Sequence, residues 1–310
     1  MRETCLTILG MTCLVVLCLA VEGTTEAFAA NSPKNSLNKS RPTSKPKSNA
    51  GRNDNTNLAD PILVAHRGLL RHTPENTLPA FATCLELGIG FELDIRTTKD
   101  GKLVVLHDDT LDRTTDGPNR SVREFTLAEL KKFDAGSWFH PSFANVRIPT
   151  LEEAFQLIKQ RKRGRTIVAL NVKDITHDGE KRLVELVEKY GLMDNSFAFD
   201  QSDESSRRLK AQNQKFRIGA NVSRTDIESR LEQGLLDVFL VTFVPTAEEV
   251  KRLQNRGKQV VFNFAGSGEV RRNSSVWTTA KQSGIDGMLT DYPLECRLQW
   301  RQPHEEGSDE

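Results

Sequence analysis

Two acidic residues stand two apart in the alternating run Phe91-Glu92-Leu93-Asp94-Ile95-Arg96. In an extended strand such residues project to the same face. Carboxylates that share a buried face are costly without a positive partner, so Glu92 and Asp94 are expected to hold a hard divalent cation through oxygen, Ca2+ or Mg2+. Two histidines accompany them: His66 follows the apolar run Ile62–Ala65, and His107 follows the run 102–106. An unperturbed imidazole has a pKa of about 6.5, so near neutrality one can carry a proton while the other is free to take one. Carboxylates, a cation and two imidazoles are the parts of acid–base chemistry on an anionic substrate.

These groups must be held at one rim, and the pattern of elements supplies one. Short apolar runs alternate with helical stretches. Strands are expected at 62–65, 91–96, 167–172, 196–199, 217–221, 238–242, 260–264 and 287–290. Helices are expected at 77–87, 179–190, 204–212, 226–233, 247–256, 270–283 and 294–299. Strand followed by helix, repeated, implies a parallel sheet with helices outside it. Eight such strands are the number that closes a TIM-type (β/α)8 barrel, an α/β fold. The run 102–106 does not fit as a ninth parallel strand. Only Thr98-Lys99-Asp100-Gly101 separates it from the second strand, too few residues for a parallel crossover, and Asp-Gly is a hairpin signal. It is therefore expected to fold back as a hairpin that carries His107 to the barrel mouth. Residues 108–149 contain no clean barrel unit and carry Phe125, Trp138, Phe139 and Phe143; they form a small insertion expected to cover part of the mouth.

The chain has 310 residues and a formal net charge of +1, which argues against nucleic acid or an anionic membrane as a partner. No protein partner is evident either. Residues 1–29 have the pattern of a signal peptide: an uncharged run Leu6–Ala20, then small residues at Ala27-Phe28-Ala29. The expectation is a secreted or periplasmic protein, the alternative an N-terminal membrane anchor left uncleaved. Residues 30–60 are a polar linker and 302–310 a polar tail, both too poor in apolar residues to fold. The barrel domain is placed at 61–301. Of five cysteines only Cys84 and Cys296 lie in it, expected as buried thiols on separate helices, with a bridge as the alternative.

Five stretches, "AHRG…PENT", "FELDIRTTKDG", "VVLHDDTLDRTTDG", "RIPTLEEAF" and "DGMLTDYP", resemble in order the signature of the glycerophosphodiester phosphodiesterase family. The resemblance runs from about Leu63 to Pro293 and implies a metal-dependent hydrolysis of glycerophosphodiesters to glycerol 3-phosphate and an alcohol. It implies His66 and His107 as the acid–base pair, without saying which is which. Arg67 and Lys173 match positions that grip the phosphate, and Glu75 matches one that orients Arg67 or stands near the metal. Two departures from the family pattern stand out. Asn171 occupies the place of the usual third acidic ligand, so the metal set becomes Glu92, Asp94 and Asn171, with one negative charge fewer. The usual tryptophan strand reads Val261-Phe262-Asn263-Phe264, with Phe262 expected to wall the alcohol portion. Residues Thr290-Asp291-Tyr292-Pro293 are expected to close the last strand and loop rather than to do chemistry. The competing readings are a lysophospholipid or sphingolipid phosphodiesterase, with Trp138–Phe143 as its apolar rim, and a barrel that binds phosphodiesters with turnover weakened at Asn171.

Overall fold

The computed structural model describes residues 60–266 and 269–302. The expected signal peptide, all of the linker but Asp60, and all of the tail but Gln302 lie outside the described residues. Eight parallel strands form the barrel: β1 (Ile62–Ala65), β2 (Gly90–Thr97), β4 (Val168–Asp174), β5 (Ser196–Phe199), β6 (Gly219–Val222), β7 (Val238–Val241), β8 (Gln259–Phe264) and β9 (Gly287–Thr290). They pair in the order β5-β4-β2-β1-β9-β8-β7-β6. The remaining seam, β5 to β6, is joined by one parallel bridge, Ala198 to Ile218, and by the Ala198 N–H donating to the Arg217 carbonyl at 3.0 Å. The barrel is nearly closed.

The short strand β3 (Leu103–Val105) pairs antiparallel with β2 across the Asp100-Gly101 turn, as the hairpin signal implies. Gly101 has φ +74°, the left-handed backbone such a turn asks for. Outside the barrel lie α1 (Leu78–Glu86), α3 (Leu151–Arg161), α4 (His177–Lys189), α5 (Asp203–Gln212), α6 (Ile227–Gln233), α7 (Ala247–Gln254), α8 (Ser274–Gln282) and α9 (Pro293–Arg301). Helix α3 adds to the helices expected above and completes the unit between β2 and β4. Its start is a capping box: Thr150 accepts from the Glu153 N–H, and the Glu153 carboxylate accepts from the Thr150 N–H. Among the described residues no helix is long and apolar enough to cross a membrane.

The apolar residues divide into three bodies. Val64, Ala169, Phe197, Leu240, Val261 and Leu289 pack inside the barrel. Alternate strand residues such as Leu93, Leu170, Phe239 and Phe262 join the larger cluster that seats the helices. The insertion has a core of its own, in which Leu111, Val122, Phe125, Leu130 and Ile148 close around Val104 and Leu106; it holds two 3-10 turns and the short helix α2 (Leu127–Leu130). Trp138 stays exposed at its surface, edge-on to Phe139, which in turn meets Phe143 edgewise. Cys84 and Cys296 are buried and unbridged, and burial pushes the Cys84 thiol up to about 12.

Candidate active site

The strand register settles which side chains share the mouth. Glu92 lies opposite Ala169, and Asp94 opposite Asn171. Ala169 is inside the barrel, so Glu92, Asp94, Asn171 and Lys173 follow the same alternation onto the interior. Glu92 and Asp94 are fully buried and Asn171 nearly so. Three of their oxygens have no hydrogen-bond partner: Glu92 Oε1, Asp94 Oδ1 and Asn171 Oδ1. Buried oxygens left bare are rare in folded proteins, because each forfeits its hydration. Burial and the neighbouring charge of Asp94 push the Glu92 carboxyl up to about 7. Nearby cations do not satisfy the pair. Arg67 Nε stands 3.7 Å from Asp94 Oδ2, and Lys173 Nζ stands 3.8 Å from Asp94 Oδ1. Three bare oxygens from adjacent strands, two of them anionic, are a donor set suited to a hard divalent cation. Among the described residues no group of three His, Cys, Asp or Glu side chains is poised to bind a metal; here the third oxygen belongs to an amide.

The other oxygens of the two acids are used to fix them. The Arg67 N–H donates to Glu92 Oε2 at 2.9 Å. The Asn76 amide donates to Asp94 Oδ2 at 2.8 Å, while its own oxygen accepts from the Asp94 N–H at 3.2 Å. Arg67 and Asn76 both have left-handed backbone, φ +52° and +55°, and the Asn76 N–H donates to the Arg67 carbonyl. Such conformations are unfavourable for residues other than glycine and cluster at functional sites. Here they turn the β1–α1 loop so that its donors face the carboxylates. Gly68 follows at φ +81°, packed so closely that a Cβ would stand 2.7 Å from the Ala80 Cβ.

His66 and His107 are held in the same manner. His66 Nδ1 meets Asp291 Oδ1 at 2.8 Å, and His107 Nδ1 meets Asp108 Oδ1 at 2.6 Å. A carboxylate only accepts, so each Nδ1 carries a proton and each Nε2 is left for chemistry. Burial lowers the His66 pKa, but the hydrogen bond to Asp291 and the charges of Glu92 and Asp291 outweigh it and hold the pKa above its usual value. Hydrogen bonds from Arg113 and His107 draw the Asp108 carboxyl down to about 2. Asp291 therefore has a task that the sequence did not announce: its carboxylate orients an imidazole 225 positions away, and it also accepts from the Gly266 N–H at 3.3 Å.

Arg67, Glu75 and Lys173 are tied into the same cluster. Arg67 Nη1 donates to Glu75 Oε1 at 2.9 Å. Lys173 donates to Asp200 at 3.1 Å, and Asp200 has a left-handed backbone with φ +73°. Phe262 is the exception. It is buried in the cluster between strands and helices, stacked on Phe264 with ring centroids 5.1 Å apart. The interior position on that strand belongs to Asn263, whose amide donates to Asn221 at 2.7 Å. Phe262 is on the wrong face to wall a substrate. Its neighbours Val261 and Asn263 take the inward positions.

Residues 66–295 match the model of the glycerophosphoryl diester phosphodiesterase family. The chain belongs to that family. It is 35% identical over 241 residues to the glycerophosphodiester phosphodiesterase of Caldanaerobacter subterraneus, an alignment covering 75% of this chain and 94% of that one. The crystal structure of the Agrobacterium tumefaciens glycerophosphodiester phosphodiesterase superposes with a TM-score of 0.65 at 25% identity, covering 77% of this chain and 99% of that one. An Oleispira antarctica phosphodiesterase, solved in complex with the product sn-glycerol-3-phosphate, gives a TM-score of 0.64 at 27% identity over 78% of this chain and 98% of that one. Enzymes of the glycerophosphodiester phosphodiesterase family generally depend on a divalent metal, and the bare oxygens of Glu92, Asp94 and Asn171 fit one.

Proposed function

We propose that this chain hydrolyses glycerophosphodiesters to glycerol 3-phosphate and an alcohol, with His66 and His107 as its acid–base pair. The observation that carries the reading is the matched fixing of the two imidazoles. Each is tied at Nδ1 to an aspartate, beside two buried carboxylates that lack a partner for one oxygen each. The substrate supported by the family and by the product seen in the Oleispira relative is a small glycerophosphodiester.

Arg67 and Lys173 bind the non-bridging phosphate oxygens, Arg67 through its forked guanidinium. One Nε2 takes the proton of the attacking hydroxyl, which is water or the glycerol 2-hydroxyl; the other returns a proton to the oxygen of the departing alcohol, and where the 2-hydroxyl attacks, water then opens the resulting cyclic phosphate to glycerol 3-phosphate with the two roles reversed. Asp108 and Asp291 stabilise the imidazolium that forms and keep both rings in the productive tautomer. Glu92, Asp94 and Asn171 would hold Ca2+ or Mg2+, which when bound would supply Lewis-acid neutralisation of phosphate charge. Export through residues 1–29 belongs to the same proposal, supported by the uncharged run and the small residues after it.

The test is direct. Purified protein with Ca2+ or Mg2+ and glycerophosphocholine is expected to release choline and glycerol 3-phosphate, and lysophosphatidylcholine is expected to turn over poorly. Absence of turnover on any glycerophosphodiester, with metal bound and His66 intact, would remove the proposal. Preferential cleavage of lysophosphatidylcholine would move it to the lysophospholipid reading.

A further inference from the structure

The insertion supplies a residue that the chemistry above does not use. Arg113 donates from Nη1 to Glu75 Oε2 at 3.0 Å and from Nη2 to Glu75 Oε1 at 2.8 Å. The same guanidinium donates from Nη2 to Asp108 Oδ1 at 3.0 Å, and from Nε to Asp108 Oδ2. Each carboxylate also holds one functional side chain: Glu75 holds Arg67, and Asp108 holds His107. A continuous path therefore runs His107–Asp108–Arg113–Glu75–Arg67. Its ends lie on separate pieces of chain, the β1–α1 loop and the segment after β3. A planar fork is needed to span two carboxylates at once, which a lysine ammonium cannot do with the same geometry.

We infer that Arg113 is a positioning residue for the reaction, a tie-bar that fixes the distance and orientation between His107 and Arg67 without touching substrate. This rests on the function proposed above for the choice of assay, though not for the geometry. His107 lies just past a short hairpin strand outside the barrel ring, and its imidazole is held by a carboxylate that Arg113 anchors. Glu75 is likewise shared by Arg113 and Arg67, so loss of Arg113 frees one face of the carboxylate that aims Arg67. Misplacement of a reacting group by about 1 Å is worth roughly a hundredfold in rate.

The test compares R113A and R113K with the parent enzyme, loaded with metal, on glycerophosphocholine. R113A is expected to lose about a hundredfold in kcat/KM, R113K about tenfold, and added guanidinium ion is expected to restore part of the R113A activity. In a double-mutant cycle D108N and R113A should be strongly non-additive, because both cut the same path. A role in folding alone would give neither rescue nor coupling. A second readout needs no turnover: the slowly exchanging His107 Nδ1–H, seen by nitrogen-15 NMR, is expected in the parent and lost in R113A. If the parent fails to turn over but R113A still loses that proton signal, the proposed reaction falls and the tie-bar stands. If R113A keeps both the parent kcat/KM and the His107 signal, the tie-bar is overturned.

Discussion

Replacing Gly68 by alanine tests whether the tight β1–α1 loop sets the site. Two costs follow from the structure. The position has φ +81°, which disfavours an L side chain by about 1–2 kcal/mol. The added Cβ would stand 2.7 Å from Ala80 Cβ and 3.3 Å from the Ala80 carbonyl carbon, so the loop or helix α1 must shift. Ala80 is fully buried, and such overpacking costs about 1–3 kcal/mol. Together these predict a loss of roughly 2–5 kcal/mol, or roughly 5–15 °C in Tm for a domain of this size. The same shift moves Arg67, whose N–H anchors Glu92, so kcat/KM should fall about a hundredfold at temperatures where the protein is still folded. Thermal unfolding and steady-state kinetics measure the two effects. The variant G68A/A80G separates the terms, since removing the Ala80 methyl relieves the 2.7 Å contact, and the single variant A80G accounts for the cost of a glycine in helix α1. Its cycle with the single variants should show a favourable coupling of about 1–3 kcal/mol. A G68A protein with unchanged Tm and full activity would refute the reasoning, and so would a cycle with no coupling.

Other expectations follow from particular contacts. D291N replaces a pure acceptor with an amide that can donate to His66 Nδ1 and stabilise the wrong tautomer; kcat should fall by about a hundredfold or more while Tm changes little, and an unchanged kcat would dismiss Asp291 as an orienting residue. N171E adds a third negative charge to the bare oxygens: without metal it should lower Tm, and calorimetry should show Ca2+ binding roughly tenfold tighter or more, whereas equal affinity would remove Asn171 from the metal set. Glu180 is buried and accepts from Arg208 at 2.7 Å and from Ser205 at 2.6 Å. Burial raises its pKa, but these donors outweigh it and hold the pKa below the ordinary glutamate value. A lowered carboxylate pKa stabilises the fold above the unfolded-state value and loses that contribution as pH falls through the folded-state value. E180Q should therefore cost about 2–3 kcal/mol at neutral pH, with a Tm deficit that shrinks below about pH 4; a deficit independent of pH would contradict the ion pair as its source.

Much of the site was legible because it depends on local periodicity. Glu92 and Asp94 share a face wherever their strand goes, and the Asp100-Gly101 turn returns the chain within a few residues. His107 and Asp108 are neighbours in the chain, so their pairing needs little tertiary information. Phe262 shows the limit of that reasoning. In a run with apolar residues on both sides, alternation defines two faces but not which one points inward, and a shift of one residue exchanges them. The polar Asn263 toward the open end of β8 was the available clue to the interior face.

What the sequence determined by itself is the alternation of strand and helix, the shared face of the two acids, the hairpin and the family motifs, all consequences of spacing within a few residues. Closure of the barrel decided the rest. It brings β9 beside β1, so Asp291 reaches His66, and it sets β4 against β2, so Asn171 falls next to Asp94. The packed insertion decides that Arg113 meets Glu75 and Asp108 together. Apart from Arg113 and Asp108, these partners are far apart in the chain, and no local propensity encodes their meeting; it exists only once burial of the apolar faces has fixed where every strand end stands.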